Sequence, residues 1–249
     1  MKLLLFTFFS LLLSFNTLAT TLRFSVGPDH QDMMDNNYLV YRANWEFLSQ
    51  SLALLDVELV AKPMPWARAK SLVQAGTNHG LFLAANFEER NKWAVLSQPL
   101  AYEVFGCYKH RENPDGDKVI AAVRLGGNDK ILSYLKPEKL LNVTTAQDGL
   151  MLLHHKRVDR FIMAKGYGQY ILNNELIDIK EDIIFDPNRS ELRSLHVAFA
   201  NNKPESLAML KVVNQAITLG MEKGIYQNIM AKYQVPKEML VAQRPSLKR

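Results

Sequence analysis

An arginine at the predicted start of a helix is the strongest binding candidate in the chain. The run Asn86-Phe87-Glu88-Glu89-Arg90 predicts a helix start, with Asn86 as N-cap and Glu89 three residues later. Arg90 then lies in the first turn, where the helix macrodipole favours anions over cations. A bound anion would explain this arginine, because Arg binds carboxylates with two parallel hydrogen bonds. The alternatives are an ion pair with Glu88 or Glu89, and simple exposure.

Four further residues could contribute to the same site. Ala84 and Ala85 precede the helix, and their backbone N–H groups could complete an anion site beside Arg90. Trp66 and Arg68 follow a pair of prolines, where Trp66 could form an apolar wall and Arg68 a second cation. The alternative for Trp66 and Arg68 is an ordinary helix start with a half-buried tryptophan.

A glycine pair marks a second candidate loop. Gly126-Gly127-Asn128 ends a predicted strand and opens a predicted helix over Asp129 to Leu135. Glycines let a ligand approach the backbone closely, and the following helix offers free N–H groups. We therefore include Gly127 and Asn128 among the ligand-binding candidates, with a plain tight turn as the alternative.

The sequence offers little that predicts catalysis, a metal or a cofactor. Its six histidines are scattered without the i, i+4 spacing of a zinc-binding helix, and we find no GxSxG, P-loop or GxGxxG motif. Asp29, His30 and Asp32 form only a weak acid–base set. The single cysteine, Cys107, lies in a strand-like apolar run and is predicted to be buried. Gly166-Tyr167-Gly168 is a loop signal.

Charge and the N-terminus limit the choice of partner. The chain has 249 residues and a net charge of +5, and residues 1–19 combine Lys2, an apolar run and a small-residue end at Ala19. That pattern predicts a secretory signal peptide, cleaved near Ala19 to leave a soluble periplasmic protein, with an uncleaved anchor as the alternative. The remaining +4 is too dispersed for nucleic-acid binding.

Strands and helices alternate along the rest of the chain. Predicted strands at 22–26, 57–60, 80–85, 118–124, 141–144, 157–163 and 195–199 are separated by helices at 44–55, 66–75 and 146–155, with Gly76 as a C-cap. Two helices close the chain, one marked by Pro204 and one running to Tyr233. The pattern predicts an α/β fold of two similar units with a largely parallel sheet.

Several of these segments resemble one known family, the extracellular solute-binding proteins of the polar amino acid type (family 3). Pro65-Trp66-Ala67-Arg68-Ala69 with Val73-Gln74-Ala75-Gly76 is similar to the family's P-W-x-R-A…V-Q-x-G segment. Phe87-Glu88-Glu89-Arg90 and Leu96-Ser97-Gln98-Pro99-Leu100 resemble its E-R…F-S-x-P-Y segment. Arg157-Val158-Asp159 looks like its G-R-V-D, and Gly224-Ile225-Tyr226 resembles its closing segment. The motifs run in family order along nearly the whole mature chain.

The resemblance implies a two-lobed periplasmic-binding-protein fold (type II) with the ligand cleft between the lobes. The first lobe would take residues 20–104 and 203–249, and the second 105–202. Arg90 would hold a ligand carboxylate, and the loop at Gly127 would face the cleft from the second lobe. Such a monomer would capture a small polar or anionic solute by lobe closure, for an ABC permease of the inner membrane or for a sensor, without catalysis or a cofactor.

Two departures from the family pattern bear on the ligand. The acid that usually receives a ligand ammonium falls at Ala164, and the Asp that usually precedes the buried strand is replaced by His79. Asp159 itself is expected to be structural. An acid without the amine, or another small polar solute, therefore competes with an α-amino acid as the ligand. The alternative functions are an exported enzyme resembling cyclohexadienyl dehydratases, which would need a carboxylate or histidine in the cleft, and a degenerate member without transport.

Overall fold

The computed structural model describes residues 20–36, 38–113, 115–123 and 137–241. The strands are β1 (Thr20–Val26), β2 (Val57–Pro63), β3 (Gly80–Ala85), β4 (Ala94–Leu96), β5 (Ala101–His110), β6 (Val119–Val123), β7 (Lys139–Val143), β8 (Arg160–Ala164) and β9 (Ile183–Ala200). The α-helices are α1 (His30–Asp35), α2 (Leu39–Ala53), α3 (Trp66–Ala75), α4 (Glu88–Asn91), α5 (Ala146–His154), α6 (Lys165–Asn174), α7 (Pro204–Glu222) and α8 (Ile225–Lys232). Short 3₁₀ turns lie at Ile177–Ile179 and Lys237–Met239.

All the strands belong to one mixed sheet in the order β2-β1-β3-β9-β5-β8-β6-β7, with β4 beside β9. The outer strands pair in parallel at both ends, β1 with β2 and β3, and β6 with β7 and β8. The middle is antiparallel, since β9 runs against β3, β4 and β5, and β5 runs against β8. The prediction of a largely parallel sheet is therefore correct for the outer strands and wrong for the centre, where β9 pairs antiparallel with β3, β4 and β5.

Two large hydrophobic cores form at opposite ends of this sheet. The first core packs α2, α7 and α8 against β1 and β3, and it includes Phe24, Phe47 and Phe199. The second packs α5 and α6 around Tyr108 and Phe161. Strands β5 and β9 run between the cores, and β5 is paired with β9 over its whole length, from Ala101 opposite Leu195 to His110 opposite Ile183, with a register shift between Gly106 and Cys107. The predicted sequence limits of the two lobes remain a prediction.

Most local predictions within the described residues are confirmed. Strand β3 and helix α3 have the predicted bounds, and Gly76 ends α3 in the left-handed conformation at φ +80°. Cys107 is buried as predicted, with no exposed surface. The signal peptide, the loop at Gly127 and Asn128, and the predicted helix at 129–135 lie outside the described residues.

Two local predictions are wrong. Phe87, not Asn86, is the N-cap of α4. Asn86 instead extends the pairing of β3, because its N–H donates to the carbonyl of Ser194 at 2.9 Å. Gly166-Tyr167-Gly168 belongs to α6, where the apolar packing of Ile171 and Leu172 outweighs the glycines. Among the described helices, none is long and apolar enough to cross a membrane.

Candidate functional site

A cleft lies between the two cores, beside the strands that connect them. Its wall on the side of the first core includes Met33, Tyr41, Trp66 and Phe87, and its opposite wall includes Ala146, Met163 and Tyr167. The empty space measures about 860 Å³, including open solvent. Aromatic and aliphatic side chains dominate this lining, which is typical of small-molecule sites with few, precisely placed polar groups.

Arg90 lines this cleft and is buried, with 5% of its surface exposed. Its Nη1 donates to the carbonyl of Ala85, and its guanidinium carbon lies 4.2 Å from the centre of the Phe87 ring. The alternative of an exposed arginine is therefore wrong. Helix α4 is a single turn of four residues, so its dipole adds little, and any anion would be held by the guanidinium itself.

The end of β3 has an unusual backbone that shapes the part of the cleft beside Arg90. Leu83 has φ +52°, a left-handed conformation that is rare for a branched side chain, and the pairing of β3 with β9 shifts register between Leu81 and Ala84. Ala84 and Ala85 follow this kink and line the cleft, at 2% and 4% exposure. The kink therefore brings the Ala85 carbonyl to Arg90.

Of the two residues predicted on α3, only one lines the cleft. Trp66 is the first residue of the helix, and its ring also packs beside Gly27, where an added Cβ would lie 3.4 Å from it. Arg68 is exposed and does not line the cleft. The positions are two residues apart on a helix and therefore point to different sides.

Glu103 is a cleft residue that sequence reasoning missed. It lies on β5 with 1% exposure, and its carboxylate accepts hydrogen bonds from the Tyr38 hydroxyl at 3.2 Å and the Val104 N–H at 2.8 Å. Burial raises its pKa above the usual range, against the opposing influence of these donors. The signal was present, because Glu103 shares the inward strand register with Ala101 and Phe105.

Glu103 also lies close to Ala164, the position at which the resemblance led us to expect an acid for a ligand ammonium. Ala164 lines the cleft as the N-cap of α6, two residues before Gly166. The Gly166 N–H points to Glu103 Oε1 at 3.4 Å, and a Cβ on Gly166 would lie 2.7 Å from Oε2. The second lobe thus presents an alanine at this place, and a neighbouring strand brings the carboxylate to it.

A second buried carboxyl, that of Asp29, lies outside the cleft lining but near the cleft residue Trp66. Asp29 precedes α1 and lies beside Gly27, where an added Cβ would be 2.8 Å from its Oδ1. This oxygen is buried and has no hydrogen-bond partner among the described residues. Burial raises the pKa of Asp29 from 3.8 to about 6, with the nearby carboxylates of Glu175 and Asp32 adding to the rise.

Outside the cleft, His110, His154 and Asp182 bring donor atoms within 4.8 Å of one another. Nδ1 of His110 accepts the N–H of Glu112 at 3.1 Å, so the proton of the neutral ring lies on Nε2. A metal ion would have to displace that proton, and this cluster is therefore a poor metal site. Asp159 is structural, since its carboxylate accepts the N–H groups of Lys118 and Val119.

Comparison with solved structures identifies the architecture. A histidine kinase sensor domain with similarity to periplasmic binding proteins superposes with a TM-score of 0.69 at 18% identity, covering 88% of this chain and 97% of its own. The chain has the two-lobed periplasmic-binding-protein fold. This confirms the predicted fold class, with its ligand cleft between the lobes. No protein-family model and no curated protein matches the sequence.

Two bacterial uptake proteins share the periplasmic-binding-protein fold with comparable TM-scores. A substrate-binding protein of an ABC uptake transporter from Streptococcus pneumoniae, solved with bound histidine, has a TM-score of 0.68 at 14% identity over 88% of this chain and 94% of its own. An amino acid ABC transporter substrate-binding protein from the same organism, bound to L-arginine, has a TM-score of 0.63 at 16% identity over 86% and 94%. At these identities the likeness concerns the fold, which is consistent with the family resemblance seen in the sequence.

Proposed function

We propose that this chain is a solute-binding protein whose lobes close on a small amino-acid-like solute carrying both a carboxylate and an amine. One observation supports this most directly: Arg90, behind the β3 kink, and Glu103, on connecting strand β5, line the same cleft. A cation and a carboxylic acid in one largely apolar cleft complement a small zwitterion. Histidine and arginine are the ligands of two proteins with this fold.

The two charged residues would act on opposite ends of the solute. Arg90 is held in place by the Ala85 carbonyl and the Phe87 ring, so little conformational entropy is lost when it binds a carboxylate. Glu103 is costly to ionise in the empty cleft, and a ligand ammonium would stabilise its charged form. At a pH near the raised pKa of Glu103, binding of an amine is therefore expected to release the proton of this carboxyl.

Lobe closure supplies the binding mechanism. The lining residues come from both cores, so a ligand contacts both walls only when the lobes are together. A solute that makes these contacts binds the closed state more tightly than the open one and stabilises it by that differential affinity. We propose export by the N-terminal segment to the periplasm, and delivery to an ABC permease or to a sensor.

One observation favours a second candidate, an enzyme on the same scaffold. The predicted requirement for a lyase resembling cyclohexadienyl dehydratase was a carboxylate or histidine in the cleft, and Glu103 with its raised pKa meets it. Release of product from prephenate, followed by absorbance, tests this function directly. Turnover that is lost in Glu103→Gln would establish the enzyme, and stable binding without turnover would exclude it for this substrate.

The binding function is tested by thermal shift and calorimetry on the mature chain. L-arginine, L-histidine and L-glutamate are each compared with the corresponding decarboxylated amine and deaminated acid. A ligand at 100 times its Kd stabilises the protein by about 2.7 kcal/mol, which gives a clear shift. We expect at least one amino acid to bind and both of its truncated analogues to bind much more weakly.

Three variants assign the contacts. Arg90→Gln and Glu103→Gln should each abolish the shift, whereas Arg68→Gln, on the exposed side of α3, should retain it. A deaminated acid that binds as well as its amino acid would overturn the role of Glu103. Unchanged binding in Arg90→Gln would overturn the anion site.

A further inference from the structure

Three tyrosines join the two lobes across the cleft. Tyr38 lies directly before α2 on the side of the first core, whereas Tyr167 and Tyr170 lie on α6 in the second. The Tyr38 ring centre is 5.9 Å from that of Tyr167 and 5.5 Å from that of Tyr170. Tyr38 and Tyr167 pack against both hydrophobic cores at once. We name Tyr38, Tyr167 and Tyr170 the tyrosine clasp.

Hydrogen bonds from the hydroxyls of Tyr170 and Tyr38 reinforce the tyrosine clasp. The Tyr170 hydroxyl, from the second lobe, donates to the carbonyl of Asp32 on α1 at 3.2 Å. The Tyr38 hydroxyl, from the first lobe, donates to Glu103 on the connecting strand, and Glu103 in turn faces the N–H of Gly166 on α6. Side chains and backbone of both lobes therefore meet at one point.

We propose that the tyrosine clasp holds the lobes together in the absence of a ligand, so that closure is largely formed before binding. Aromatic pairs at these distances are attractive beyond the area they bury, and the Tyr170 hydroxyl supplies a partly buried hydrogen bond to the opposite wall of the cleft. A binding-competent state that is already populated raises the apparent affinity, because the ligand does not have to shift the lobe equilibrium. This inference rests on the fold and these contacts, and not on the proposed solute.

The lobe arrangement can be measured without a ligand. Spin labels at Glu58→Cys and Lys139→Cys would report the distance between β2 and β7, the strands at the two ends of the sheet. The native Cys107 is buried and does not compete for the label. Pulsed dipolar spectroscopy on the mature, ligand-free chain then gives the distribution of lobe separations.

The clasp variants remove interactions in two steps. Tyr38→Phe with Tyr170→Phe keeps both rings and removes the two hydroxyls. It should shift the equilibrium towards open lobes about fivefold, the effect of losing the hydrogen bond from Tyr170 to Asp32. Tyr38→Ala also removes the ring that lies against Tyr167 and Tyr170 and should open the lobes further. Tyr108→Phe is the matched control, because its hydroxyl donates to the Lys165 carbonyl within the second lobe.

The expected result is one narrow distance population in the wild type and in Tyr108→Phe, with a second, displaced population in the clasp variants. A wild-type distribution that is already as broad as that of Tyr38→Ala would overturn the proposal. It would also be overturned if neither clasp variant changes the distribution, or if Tyr108→Phe changes it equally. Circular dichroism confirms that each variant is folded. Ligand-binding assays play no part, so failure here is separate from failure of the proposed function.

Discussion

Replacing Asp29 by asparagine should stabilise the protein, and the gain should depend on pH. The folded protein raises the pKa of Asp29 from 3.8 to about 6, mainly because its carboxyl is buried. Each pKa unit corresponds to about 1.4 kcal/mol, so ionising this group in the fold costs about 3 kcal/mol. A raised carboxyl pKa means that the folded state prefers the neutral form. The contribution of Asp29 to the free energy of unfolding is therefore fully present below about pH 4, falls as the pH rises, and is lost above about pH 6.

Urea unfolding at pH 4, 5, 6 and 7.5 measures this dependence. Asp29→Asn should match the wild type at pH 4 and exceed it by about 3 kcal/mol at pH 7.5, because the amide remains neutral throughout. Asp35→Asn is the matched control, since Asp35 lies exposed on the same helix, α1. A stability difference between Asp29→Asn and wild type that stays constant with pH would refute the reasoning, as would the same trend in Asp35→Asn.

Three further predictions concern buried groups. Glu103→Gln should gain stability relative to the wild type as the pH rises from about 4, because burial raises the pKa of Glu103 and ionised Glu103 destabilises the fold; urea unfolding over the same pH series checks this sign. Cys107 should not react with a thiol reagent at pH 8 until urea is added, because burial raises the pKa of its thiol to about 12; absorbance of the released thiolate reports the reaction. Gly149→Ala should lower the free energy of unfolding by about 1–3 kcal/mol, because the added methyl would collide with the Phe161 ring; normal stability would contradict the packing.

Local pattern predicted most of the elements, because their signals lie within a few residues of one another. A continuous apolar run located β3, and helical spacing of apolar residues with the glycine at 76 located α3, both with their bounds. The helix at 165–174 was missed, since two glycines lower its local preference and only packing against the second core stabilises it. The antiparallel centre of the sheet also depends on pairing between residues about 90 positions apart, which short-range spacing does not contain.

The sequence predicted the part of the cleft around Arg90 and missed Glu103. Arg90, Trp66, Ala84 and Ala85 follow local motifs, and the structure brings all four to the cleft. Glu103 carries no motif, and its importance comes from a tertiary contact with α6. An acid placed in the inward register of a strand is a sequence signal that could have found it.

The stretches of chain that form the two cores have a consequence for the order in which the cores can fold as the chain emerges, N-terminus first. The second core draws on one continuous stretch, from Tyr108 to Ile183. The first core combines residues near the start of the chain with Leu195, Phe199 and the helices that end at Lys232. Every residue of the second core is therefore available while the first still lacks its last strand segment and two helices. The second core can form first, and the first core is completed last.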